Sequence, residues 1–146
     1  MSNLPEPRPA DSSQTASPRG RLECMRSESQ HEFDLGFYAS ILRHHPDYVD
    51  VLRKQGELLS RNGRYEEALA VDRRLAALRP DDCIVHYNLG CSLARARHHR
   101  EAIAALRKAF ELGYIDYRHL ETDCDLENLR DEPEFKALLH EFGASE

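Results

Sequence analysis

Eight histidines and four cysteines are the residues of this chain best suited to metal or nucleophilic chemistry, and their spacing speaks against both. His44-His45 and His98-His99 are adjacent pairs, and neighbours on a helix point about 100° apart, so neither pair closes on one ion. His86 and His119 stand apart, and no H-E-x-x-H occurs. Cys24, Cys83, Cys91 and Cys124 form no C-x-x-C pair, which removes the usual zinc and disulfide frames. A single helix carrying Cys83 and Cys91 would set them roughly 12 Å apart, too far to bridge, so all four read as free thiols used as small apolar residues. Asp123, Asp125, Glu127 and Glu134 fall on the first, third, fifth and twelfth places of a calcium loop, but Asn128 stands where that loop needs glycine. Helix capping and an acidic face account for them better. There is no G-x-S-x-G and no phosphate-cradling glycine loop. The residues therefore predict no catalytic site, no metal, no cofactor and no enzyme.

Charge narrows the partners. The net charge of −6 is carried by the last thirty residues, which hold three Lys/Arg against nine Asp/Glu. An acidic end and the lack of a basic stripe argue against nucleic acid and against anionic membrane surfaces. No apolar run is long enough to cross a bilayer, and the first thirty residues show no basic start followed by an apolar stretch. The expected compartment is the cytoplasm.

What positions the remaining side chains is a set of helices. Residues 1–28 hold four of the seven prolines and almost nothing apolar, and read as a disordered tail in which Ser17-Pro18 is a candidate phosphorylation site. Ser29 with Glu32 makes a capping box that opens a helix, and Pro46 closes it near His45. Phe33, Phe37, Tyr38, Ile41 and Leu42 form its apolar face. From there the chain repeats itself: residues 49–82 and 83–116 align without a gap at a period of 34. Gly56 falls on Gly90, Leu59 on Leu93, Glu67 on Glu101, Ala68 on Ala102, Leu78 on Leu112 and Asp82 on Asp116. Each unit reads as two antiparallel helices, Asp47–Arg61 with Tyr65–Arg79 and Asp82–Ala96 with His99–Leu112, stopped by Asn62-Gly63, Pro80 and Gly113. Glycine in mid-helix costs about 1 kcal/mol against alanine, so Gly56 and Gly90 imply close approach of paired helices. Beyond 116 the period decays into a short helix, Tyr117–Thr122, a capped turn carrying Leu126 and Leu129, and a last helix, Glu132–Glu141, with Phe135, Leu138 and Leu139 facing inward.

The period of 34, the Asn88-Leu89-Gly90 triplet, Leu93, Ala102 and Leu106 resemble the tetratricopeptide repeat. His86 and Tyr114 replace that family's usual tryptophan and proline, and Gln55 and Asp72 stand where it places apolar residues; Asp72 is expected at an open edge. The resemblance implies an all-α fold, a short right-handed α-solenoid of antiparallel helix pairs, with residues 29–46 as an N-terminal capping half-repeat and 117–146 as a degenerate C-terminal cap. It further implies that the first helix of each pair lines a concave groove, which would place Arg53, Glu57 and Arg61, then Ile84, Tyr87, Asn88, Cys91 and Arg95, against a peptide with apolar and acidic groups. Arg53, Asn88 and Arg118 also fall on three of five positions with which some relatives clamp chaperone C-terminal carboxylates; Glu57 and Thr122 break that pattern. A protein or peptide partner is the first reading, and weak self-association as a subunit of a larger assembly the second.

Overall fold

The structure, a computed structural model, describes the backbone of residues 18–143 and side chains from residue 25 onward. Among these residues every regular element is helical: α1 (Pro18–His44), α2 (Val49–Arg61), α3 (Tyr65–Leu78), α4 (Cys83–Arg95), α5 (His99–Glu111), α6 (Tyr117–Thr122), a 3-10 helix (Cys124–Leu129) and α7 (Pro133–Gly143). Contacts divide the chain into two compact units inside α1, between Phe33 and Asp34. In the first, α1 starts at Pro18 and not at Ser29. Proline is at home in a first turn, and the next residues, Arg19, Arg21, Leu22, Glu23 and Arg26 among them, are good helix formers; a lack of apolar residues forbids a core, not a helix. The part of the expected tail before Pro18, Ser17 included, lies outside the described residues, as does the side chain of Cys24.

The second unit is built from the two helix pairs. α2 packs on α3, α3 on α4 and α4 on α5, with the 3-10 helix against α4 and α7 against α5 and α6. The repeat is visible in the turns between paired helices. Arg64 N–H donates to Leu59 O and His98 N–H to Leu93 O, both at 2.9 Å, across left-handed residues Gly63 (φ 73°) and Arg97 (φ 66°). Asp82 caps α4 by accepting from Ile84 and Val85, and Asp116, one period on, caps α6 by accepting from His119; Tyr48, one period back, gives α2 no side-chain cap.

Close packing explains the mid-helix glycines. A Cβ on Gly90 would sit 2.8 Å from Leu106 Cγ and Cδ2 and 3.3 Å from the Ala102 carbonyl, so α4 and α5 touch there through backbone. The core is weighted toward the second pair and the closing segment beyond it: Leu93, Leu106, Leu120, Leu126, Leu129, Phe135 and Leu138 are all fully buried. Smaller clusters serve the first pair, one of Leu35, Leu58, Leu59 and Ala68, the other of Leu52, Leu75 and Val85.

Two expectations about apolar residues change. On α1 Tyr38 and Leu42 pack as expected and are joined by Leu35, while Phe33 and Phe37 are exposed, because the contact stripe runs through 35, 38 and 42 and leaves those two rings outside it. Of the described cysteines Cys91 is buried, Cys83 intermediate and Cys124 exposed; all three are free thiols, but Cys124 is no packing residue.

Candidate functional site

Between the first helices of the two pairs lies a hollow of about 550 Å³. Arg53, Gly56, Glu57, Ser60 and Arg61 line it from α2, Tyr87, Asn88, Cys91 and Ser92 from α4, and Asp72 and Leu75 from α3 below. His119, Asp123 and Asp125 close its far side. Six of the nine groove residues expected from the sequence, Arg53, Glu57, Arg61, Tyr87, Asn88 and Cys91, thus meet in one place. Ile84, Arg95 and Arg118 are not among the lining residues. Ile84 is exposed, and Arg95 lies between the Tyr65 ring, 5.4 Å from its centroid, and Asp125.

The arginines are already engaged. Arg53 Nη2 reaches Asp82 Oδ2 at 2.8 Å, Arg61 pairs with Glu57 one turn away, and Arg95 Nε donates to Asp125 Oδ1 at 2.8 Å. Burial pulls the Asp82 carboxyl up, but hydrogen bonds from Arg53 and from the Val85 and Ile84 N–H groups hold it below its ordinary range on balance. The hydrogen bond to Asp125 raises the Arg95 guanidinium further. An acidic guest would therefore compete with the chain's own carboxylates for these donors.

The acidic wall was not legible in the spacing. Tyr87 Oη donates to Asp123 Oδ2 at 2.8 Å, the Cys91 thiol lies 3.7 Å from the same oxygen, and His119 Nε2 3.3 Å from it. The Tyr87 ring stacks on Tyr114 at 4.3 Å between centroids. Burial, joined by the neighbouring negative groups, pushes both the Tyr87 hydroxyl and the Cys91 thiol well above their ordinary values, so both stay protonated donors. Ligand-type atoms of Cys91, Asp123 and Asp125 lie within 4.8 Å of one another. Residues more than thirty apart in sequence give no metal signature in the spacing, and Tyr87 and Arg95 already bond the two carboxylates.

Asp72 is the largest departure from expectation. It is not at an open edge: it is 9% exposed and accepts a hydrogen bond from the Ser92 hydroxyl, itself 7% exposed. Burial raises its carboxyl above the ordinary range, and the Ser92 bond offsets only part of that.

Paired helices in step, with a hollow between the first helices of successive pairs, define a helical-repeat protein. Residues 38–82 match the family described as Tetratricopeptide repeat, and the chain carries repeats of that kind. It is 32% identical over 95 residues to a protein of Arabidopsis thaliana described as chloroplastic, covering 63% of this chain and 28% of that protein. It is 36% identical over 80 residues to "Anaphase-promoting complex subunit 7" of Mus musculus, covering 55% of this chain and 14% of that one. The chain thus spans less than a third of the length of these relatives. Among solved structures it resembles "MamA 41-end from Desulfovibrio magneticus RS-1" with a TM-score of 0.61 at 18% identity, over 84% of this chain and 71% of that one. That likeness is one of fold. No described helix is long and apolar enough to cross a membrane.

Proposed function

We propose that this chain is a non-enzymatic interaction module that holds an extended segment of a partner protein in the hollow between α2 and α4, with α1 and the segment after residue 116 acting as caps. The observation that carries this reading is the convergence of Arg53, Glu57, Arg61, Tyr87, Asn88 and Cys91 on one hollow of about 550 Å³, within the size range of specific ligand sites. Its mixed lining suits a peptide, whose backbone and side chains present both kinds of surface. The hollow stays open although His119, Asp123 and Asp125 of the chain's own C-terminal part form one wall. One matched relative is by name a subunit of a complex, which supports a protein as the partner.

The test is affinity capture with quantified recovery, comparing the wild type with Arg53→Glu combined with Tyr87→Ala. Partners held in the hollow are lost from the double variant and kept by Arg100→Glu on α5, whose residue does not line the hollow. Equal recovery by all three proteins contradicts the proposal. A second reading, self-association, is favoured by the exposure of the Phe33 and Phe37 rings. Light scattering that finds a concentration-dependent dimer, abolished by Phe37→Ser, would support it over the first.

A further inference from the structure

The two helix pairs differ at one matched set of positions, and the difference faces the hollow. In the second pair Leu106 fills the space over Gly90. One period earlier the residue over Gly56 is Asp72, whose Oδ1 lies 3.2 Å from where a Cβ on Gly56 would be. Ser92 likewise occupies the position that Leu58 takes in the first pair, and Leu58 is buried. Asp72 and Ser92 are the buried polar residues among those described, and they bond each other across the α3–α4 boundary. A fold that elsewhere uses two leucines here carries a carboxylate and a hydroxyl. Burying a carboxylate without a cation is costly, and apolar residues of similar volume are often as stable or more so. Packing alone gives no reason for the exchange.

The charges around the hollow are unbalanced in a way that identifies what would complete it. Arg53 is paired with Asp82, Arg61 with Glu57, and Arg95 with Asp125. Among the described residues no Lys or Arg side chain pairs with the carboxylate of Asp72 or Asp123. Asp123 has the Tyr87 hydroxyl, the Cys91 thiol and the His119 ring; Asp72 has the Ser92 hydroxyl on Oδ2, while its Oδ1 accepts no hydrogen bond from the described residues. A carboxylate nine-tenths buried thus lines the hollow with no cation to meet it, its Oδ1 packed over the Gly56 backbone beside Val71. Leu75 and Tyr87 line the same hollow, surfaces that cover a methylene stem better than a hydrated ion.

We infer that the floor of the hollow is a subsite for a basic side chain of the partner, its cation taken by Asp72 and its stem laid against Leu75 and Tyr87. This rests on the reading of the hollow as a peptide site and reverses the polarity that the arginines alone suggest.

The experiment is a titration of the 15N-labelled full chain with the capped peptide acetyl-Ala-Ala-Arg-Ala-Ala-amide and its matched lysine, citrulline, norleucine and glutamate versions. The arginine and lysine peptides should give saturable shifts centred on the Gly56 and Ser92 amides, and the three uncharged or acidic peptides should not. Asp72→Asn keeps shape and the acceptor for Ser92 while removing the charge, and should weaken the basic peptides at least fivefold. Norleucine binding as strongly as arginine, or Asp72→Asn binding unchanged, overturns the subsite. So does zinc chloride alone saturating at Cys91 and displacing the arginine peptide, which would make the acidic wall a metal site. Partner capture that survives Asp72→Asn but is lost with Arg53→Glu plus Tyr87→Ala sinks the subsite and leaves the hollow as the binding face. Capture indifferent to both sinks the hollow too.

Discussion

Burial raises the Asp72 carboxyl, so its ionised form is disfavoured in the folded chain relative to the unfolded one. In consequence this group costs no stability below its unfolded value, and the cost grows as pH rises through the folded value. Asp72→Asn should therefore match the wild type in thermal melts in acid and melt several degrees higher at neutral pH, and a variant that melts lower at neutral pH would contradict the cost assigned to this carboxylate. The sequence identifies Asp72 as out of pattern, because it stands where the repeat family places an apolar residue. What it could not provide was the partner: Ser92 lies in the next repeat, and twenty residues of separation say nothing about contact until α3 and α4 are placed side by side. The same holds for Tyr87 with Asp123 and Arg95 with Asp125, whose partners come from a segment where the period has decayed.

The helices themselves were largely readable, since apolar spacing, glycine and proline are local signals. α2 to α5 begin and end within two residues of the positions read from the sequence, and α6 spans the residues expected. The start of α1 was misplaced because Ser29 and Glu32 look like a cap wherever they occur, and a polar helix that precedes them leaves no apolar signature. Arg97 is a related case: the period sets it where Gly63 stands, but an arginine carries no local sign of the left-handed backbone it adopts there. A left-handed residue with a Cβ is strained by about 1–2 kcal/mol. Arg97→Gly should accordingly raise unfolding stability by about 1 kcal/mol in urea titration, allowing for the entropy glycine adds to the unfolded chain. No gain would mean that the turn after α4 is held by something other than its backbone geometry.

Over the whole second unit, stability is concentrated where the sequence regularity fades. Leu120, Leu126, Leu129, Phe135 and Leu138 all come after the last clear repeat and are all fully buried with the second pair, so the closing segment is part of the core as well as a cap. Phe135→Ala should cost about 3–5 kcal/mol, whereas Leu35→Ala, in a smaller and more open cluster, should cost about 2 kcal/mol. The reverse order in chemical denaturation would show that α1 is the more critical end. Because that closing segment also walls the hollow, loosening it should disturb binding and folding together. The proposal that the hollow holds the guest is tested most directly by hydrogen exchange on the chain with its tightest captured partner bound. The amides of α2 from Arg53 to Arg61 and of α4 from Tyr87 to Arg95 should slow, with α5 unchanged; slowing confined to α5, or to α1 around Phe37, would contradict it.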